Sequence, residues 1–125
     1  MIVDTNALSA AADDDPDVIA VLADAELMTI PVIVLGEYRY GIAQSRHRSA
    51  YERWLTGLLR DCVVLDVNQS TAQHYADITL DLKRIGRPIP TNDIWIAALC
   101  RQHSLPLLSR DRHFDFVAGA RRLDW

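Results

Sequence analysis

Met1-Ile2-Val3-Asp4-Thr5-Asn6-Ala7-Leu8 opens apolar and breaks off on three polar residues. So short a run cannot be assigned by periodicity, but its β-branched pair Ile2-Val3 suits a fully buried strand. As the central strand of a parallel sheet it places Asp4 at the carboxyl end, where open α/β sheets hold their ligands. Leu105–Leu108, running straight into Ser109-Arg110-Asp111, repeats the arrangement of an apolar strand ending on an acid. Two more strands lie between them: Leu27–Ile30, ended by Pro31, and Cys62–Val67. Arg122–Trp125 adds an edge strand.

The intervening segments read as helices. Ala7–Ala12 is small and helix-compatible until Asp13-Asp14-Asp15-Pro16 interrupts it. An acidic cap followed by proline opens a helix over Asp17–Ala25, with Val18, Val21, Leu22 and Ala25 on one face. The acidic run is read as a solvated cap favoured by the helix dipole rather than as a metal site. Val32–Ala43 starts β-branched like a strand, yet Pro31 is a good helix opener and Ile33, Glu37, Tyr40 and Gln44 recur at helical steps, so it is read as a helix. Glu37 then lies about one and a half turns in. Among Leu35, Gly36, Tyr38 and Tyr40 an unpaired ionised Glu is costly, so it faces either solvent or a cation.

Ser45–Asp61 is an amphipathic helix with Arg46, Arg48 and Arg53 toward its leading end and a stripe of Tyr51, Trp54, Leu55, Leu58 and Leu59. It suits packing on its neighbours, with phosphate contact or a partner groove as the functional reading. Asn68 or Ser70 caps a helix over Thr71–Ile85 that ends at Gly86; His74 in it completes a surface. Arg87-Pro88-Ile89-Pro90 is a stiff extended loop, and Thr91 or Asn92 caps the next helix. Asp93-Ile94-Trp95-Ile96-Ala97-Ala98-Leu99-Cys100 is apolar almost all round, the mark of a buried helix. Capping and the dipole alone would account for Asp93 in its first turn.

Strands alternating with helices imply one α/β domain over residues 1–125, a parallel sheet with helices on both faces. The chain is half hydrophobic, with mean hydropathy near zero and 24% charged residues, as in ordinary globular proteins. No apolar run approaches the roughly 20 residues that span a bilayer, and no basic segment leads into a signal-peptide core, so no membrane role is expected and the cytoplasm is the expected compartment. Cys62 and Cys100 show no paired spacing and read as buried thiols. The net charge of −4 argues against a nucleic-acid partner until Asp4, Glu37, Asp93 and Asp111 are set aside, which leaves 13 acidic residues against 13 basic. Twelve of the 13 basic residues are Arg, whose fork suits phosphate.

In this architecture Asp4, Glu37, Asp93 and Asp111 all fall on one edge of the sheet. Such carboxylates repel, and without a counter-ion at least one keeps its proton. A divalent cation removes the conflict, and all-oxygen ligation selects Mg²⁺ or Mn²⁺ over zinc. The chemistry that such a site supports is attack of metal-activated water on a phosphodiester. Competing assignments fail on particular residues. A haloacid-dehalogenase-type phosphatase needs Asp-x-Asp, and position 6 is Asn; a receiver domain needs a strand-end Lys, and Lys83 lies on a helix. No G-x-S-x-G elbow is present, and His47, His74, His103 and His113 show no metal-ligand spacing.

Four segments in order carry a resemblance: Met1–Leu8; Pro31–Glu37 with Tyr40-Gly41-Ile42; Asn92–Ala98; and Leu107–Asp111 with Phe114. Together they resemble the PIN-domain ribonucleases, in particular VapC-type toxins of bacterial toxin–antitoxin pairs. The resemblance implies a three-layer α/β/α sandwich around a mostly parallel sheet and a Mg²⁺- or Mn²⁺-dependent endoribonuclease that cleaves structured RNA such as tRNA or rRNA. It also implies inhibition by a small cognate antitoxin, and dimerisation. Carried over, Asp4 and Asp93 are the main metal ligands, with Glu37 and Asp111 completing the set and Thr5, Asn6 and Ser109 supporting it by hydrogen bonds. Asp115 stays outside the set. Two other readings remain: a PIN-fold nuclease of RNA maturation, and an inactive PIN-fold binding module.

Overall fold

The computed structural model describes all 125 residues. Its strands are β1 (Ile2–Val3), β2 (Thr29–Pro31), β3 (Val63–Leu65), β4 (Leu107–Leu108) and β5 (Arg122–Leu123). Its helices are α1 (Thr5–Ala12), α2 (Pro16–Ala23), α3 (Val32–Ala43), α4 (Arg48–Leu58), α5 (Gln69–Arg84) and α6 (Thr91–His103), followed by a 3₁₀ turn at Arg112–Phe116. The strands form one all-parallel sheet in the order β3-β2-β1-β4-β5. The chain thus steps outward from β1 to β3, then crosses to the other side of β1 for β4. That reversal is a topological switch point, the crevice where α/β sheets bind ligands.

β1 pairs with β4 in the register Ile2 to Leu107 and Val3 to Leu108. Asp4 N–H extends the ladder by donating to Leu108 O at 3.1 Å, which brings the residue after β1 beside the residue after β4. The core is continuous around this pair, with Ile2, Val3, Leu8, Ile30, Ile96, Leu99, Leu107, Leu108 and Phe114 fully buried. α1 packs on α2, α3 and α4, and α5 on α6; α3 also meets α6. As expected from its composition, α6 is buried along Ile96–Cys100.

The strands are shorter than the sequence reading. β4 starts at Leu107 because Pro106 has no N–H to donate, although its carbonyl accepts from Ile2 N at 2.8 Å. β3 is an edge strand with Val63 and Val64 about 40% exposed; Cys62 lies outside it and is only partly buried, unlike the fully buried Cys100. α4 begins at Arg48 rather than Ser45, since Ser45 Oγ accepts His47 N–H at 3.0 Å and holds a turn that competes with the helix. Of the two caps offered for α5, Asn68 serves, through reciprocal bonds with Thr71 of 3.2 and 3.0 Å. Asp15 caps α2 through Asp17 N–H at 3.0 Å. Neither Thr91 nor Asn92 caps α6: both lie inside the helix, and Pro90 occupies the cap position with no side-chain bond.

Candidate active site

Asp4 is the centre of a hydrogen-bond network at the switch point. It is 5% exposed and takes three donors: Thr5 N–H on Oδ1 at 2.8 Å, and Asn6 Nδ2 at 2.9 Å and Ser109 Oγ at 2.6 Å on Oδ2. Burial pushes its pKa up, the hydrogen bonds from Ser109 and Thr5 pull it back, and the charge of Asp111 raises it again. The carboxylate therefore has a fixed orientation and an unfavourable surrounding charge.

Ser109, fully buried, uses all its hydrogen-bonding capacity here. Its hydroxyl donates to Asp4 while accepting Asp111 N–H at 2.9 Å and Asn6 Nδ2 at 3.2 Å. Asn6 closes the link from its other side, with Oδ1 accepting Arg110 N–H at 3.2 Å. The loops after β1 and β4 are thereby fastened together through side chains, with Asp4 and Asp111 on the joined edge. On α3, Glu37 Oε1 accepts from Thr5 Oγ1 at 3.3 Å, and the nearby Asn92 side chain also favours its ionised form. Its pKa is raised by burial and then by the charge of Asp4.

Asp93 enters from the first turn of α6, its side chain 13% exposed. Its pKa is pushed up to about 6, by burial first; a hydrogen bond from His113 opposes this, while the charges of Asp111 and Asp4 add to it. Asp111 caps the 3₁₀ turn by accepting His113 N–H at 2.9 Å. The four acids named from the sequence thus meet at one edge; Thr5, Asn6 and Ser109 hold Asp4, Glu37 and Asp111 by direct hydrogen bonds, while Asp93 is met by His113.

A PIN-domain family model matches residues 1–120. The chain belongs to the PIN-domain family. This PIN domain is 30% identical over 103 residues to ribonuclease VapC2 of Haemophilus influenzae, covering 82% of this chain and 78% of that one. It is also 31% identical over 99 residues to the tRNA(fMet)-specific endonuclease VapC of Shigella flexneri, covering 78% and 75% of the two chains. The crystal structure of DNA-bound VapBC from Salmonella typhimurium superposes on it with a TM-score of 0.88 at 27% identity, covering 99% of this chain and 96% of that one.

Two residues beside these acids escaped the sequence reading. His113 Nδ1 lies 3.1 Å from both Asp93 Oδ2 and Asp111 Oδ1. The available signal was Asp111-x-His113 after a strand end, since an aspartate capping a tight turn brings the residue two positions on back beside it. Asn92, taken for a cap, instead faces Glu37. Asp115 lies outside the acidic group, held by Arg122 through bonds of 2.8 and 3.1 Å. No helix is long and apolar enough to cross a membrane.

Proposed function

We propose that this chain is the ribonuclease toxin of a toxin–antitoxin pair, a metal-dependent endoribonuclease acting at Asp4, Glu37, Asp93 and Asp111. The observation that carries the reading is the convergence of these carboxylates, from four separate segments, at the switch point of the sheet. VapC ribonucleases at 30% and 31% identity support the RNA-hydrolysing activity, and the VapBC complex at 27% identity supports an antitoxin partner.

The donor set fits a divalent cation. Burial and mutual charge disfavour ionisation of Asp4, Glu37 and Asp93, a penalty that a bound cation relieves. Mg²⁺ or Mn²⁺ held by Asp4 and Asp93, with Glu37 and Asp111, would supply charge neutralisation at the phosphate and a more acidic water. Asp4, locked by three donors, fixes the position of the site. Thr5 and Asn92 aim Glu37, whose raised pKa suits it to receive the proton of the attacking water. Ser109 and Asn6 keep the Asp4 and Asp111 loops at constant separation.

The test is incubation of total bacterial RNA with the purified protein and Mg²⁺ or Mn²⁺, beside Asp4→Asn and an EDTA control, with new ends mapped by sequencing. Discrete metal-dependent ends absent from the variant are expected, and their sequence context names the RNA class, tRNA or rRNA. A folded, antitoxin-free protein that cleaves nothing with either metal would replace this reading by the binding module. A short antitoxin reading frame next to the gene separates a toxin from a nuclease of RNA maturation.

A further inference from the structure

We propose that His113 ligates the metal of this site through Nδ1, beside Asp93 and Asp111, and thereby biases the centre toward Mn²⁺ over Mg²⁺. The inference rests on the metal-dependent reading above and adds to it a nitrogen donor. His113 Nδ1 is 3.1 Å from Asp93 Oδ2 and 3.1 Å from Asp111 Oδ1. Two donors at right angles around an ion with bonds of about 2.1 Å stand about 3.0 Å apart. Nδ1 therefore stands from each acid oxygen at the spacing of neighbouring ligands on one cation, and ligand atoms of all three residues lie within 4.8 Å of one another.

The turn that carries the ring is fixed by the backbone. Asp111 caps the 3₁₀ turn on His113 N–H at 2.9 Å, and the next residue, Phe114, is fully buried and anchors the turn in the core. The imidazole side chain is 47% exposed, so a cation can take the place of the Nδ1 proton between ring and acids while Nε2–H stays in water. Mg²⁺ gains little from such a donor, because it demands oxygen and keeps its waters, whereas imidazole suits the transition metals. A ring that merely donates a hydrogen bond to the two acids would leave no nitrogen on the ion.

The experiment uses the full chain, stripped with EDTA and titrated with Mn²⁺ by electron paramagnetic resonance and with Mg²⁺ by calorimetry, for wild type, His113→Gln and His113→Ala. Any substitution keeps the backbone N–H that Asp111 caps, so Asp111 stays in place. Bound Mn²⁺ in wild type should show nitrogen hyperfine coupling that both variants lack, and the variants should lose about tenfold in Mn²⁺ affinity with Mg²⁺ affinity held within about twofold. Tight Mn²⁺ binding without nitrogen coupling, or equal losses for both metals, overturns the proposal and leaves the carboxylate centre standing. A wild type that binds neither metal, matching Asp4→Asn, overturns the metal reading together with the proposal.

Discussion

Replacing Asp93 by Asn should stabilise the metal-free protein while removing cleavage. Asp93 in the folded chain ionises near 6 against 3.8 for the free side chain, a rise of roughly two units at about 1.4 kcal/mol each, so the ceiling is about 3 kcal/mol. The side chain retains 13% exposure, and water screens part of that, which leaves about 1–2 kcal/mol. The sign follows from the direction of the shift. Below pH 3.8 the carboxyl is protonated in both the folded and the unfolded chain, and the penalty is absent; it grows through the interval up to about 6 and is full at neutrality. For a chain of 125 residues, about 4 °C of melting temperature accompanies each kcal/mol, so a gain of about 4–8 °C is expected at pH 7 in EDTA. The gain should vanish near pH 3.5. With Mn²⁺ added, wild type should recover and the variant should not. Asp4→Asn makes the contrast: the carboxylate there takes three donors, and an amide nitrogen would confront some of them, so no gain is expected. A metal-free Asp93→Asn that melts with or below wild type at pH 7 would refute the electrostatic account of the site.

Ser109→Ala removes the 2.6 Å bond to Asp4 and the link to Asn6 and strands Asp111 N–H; a loss of about 1–3 kcal/mol in denaturant titration is expected, with activity down about 10- to 100-fold. Tyr38→Phe should be neutral or stabilising by up to about 1 kcal/mol, because the buried Tyr38 Oη has no partner; a cost above that in thermal melts would reveal one. Asp115→Asn should weaken the Arg122 clamp yet leave Mn²⁺ affinity unchanged in the same titration used for His113. Arg122 holds the Asp115 carboxyl below the ordinary range, and the Trp125 N–H followed by Arg122 does so for Asp124, so their contribution is present above the unfolded carboxyl pKa and fades as the pH falls through the folded values; an Arg122→Ala variant should show less acid-induced loss over that span, chiefly through Asp115.

The sheet edge was legible because each site acid is marked in the chain by an abrupt change of character. Asp4 and Asp111 end apolar strands, Glu37 interrupts an apolar helix, and Asp93 opens one. Parallel topology then leaves few places where such positions can go. Strand lengths were less legible, since hydrophobicity persists past the residues that pair: Cys62 and Leu105 are apolar yet lie beyond the ladder. Ser45 shows why the start of α4 was misplaced, as a hydroxyl bond two residues long competes with helix at a position where composition favours neither. His113 was hidden for another reason. Its role follows from the turn that Asp111 caps, a property of backbone geometry that carries no periodicity.

The strand order has a consequence for when the catalytic edge can exist. β1 precedes the other strands in the chain but is flanked by β2 on one side and β4 on the other, so Asp4 meets Ser109 only once 105 further residues have been made. A ribosome that has finished α5 has produced a chain without its second acidic strand end. Products that end before β4 lack the joined acidic edge, which closes only after β4 and the turn behind it have emerged and packed on β1. That closure spans 105 residues between Asp4 and Ser109, and contacts so distant in sequence form late in folding.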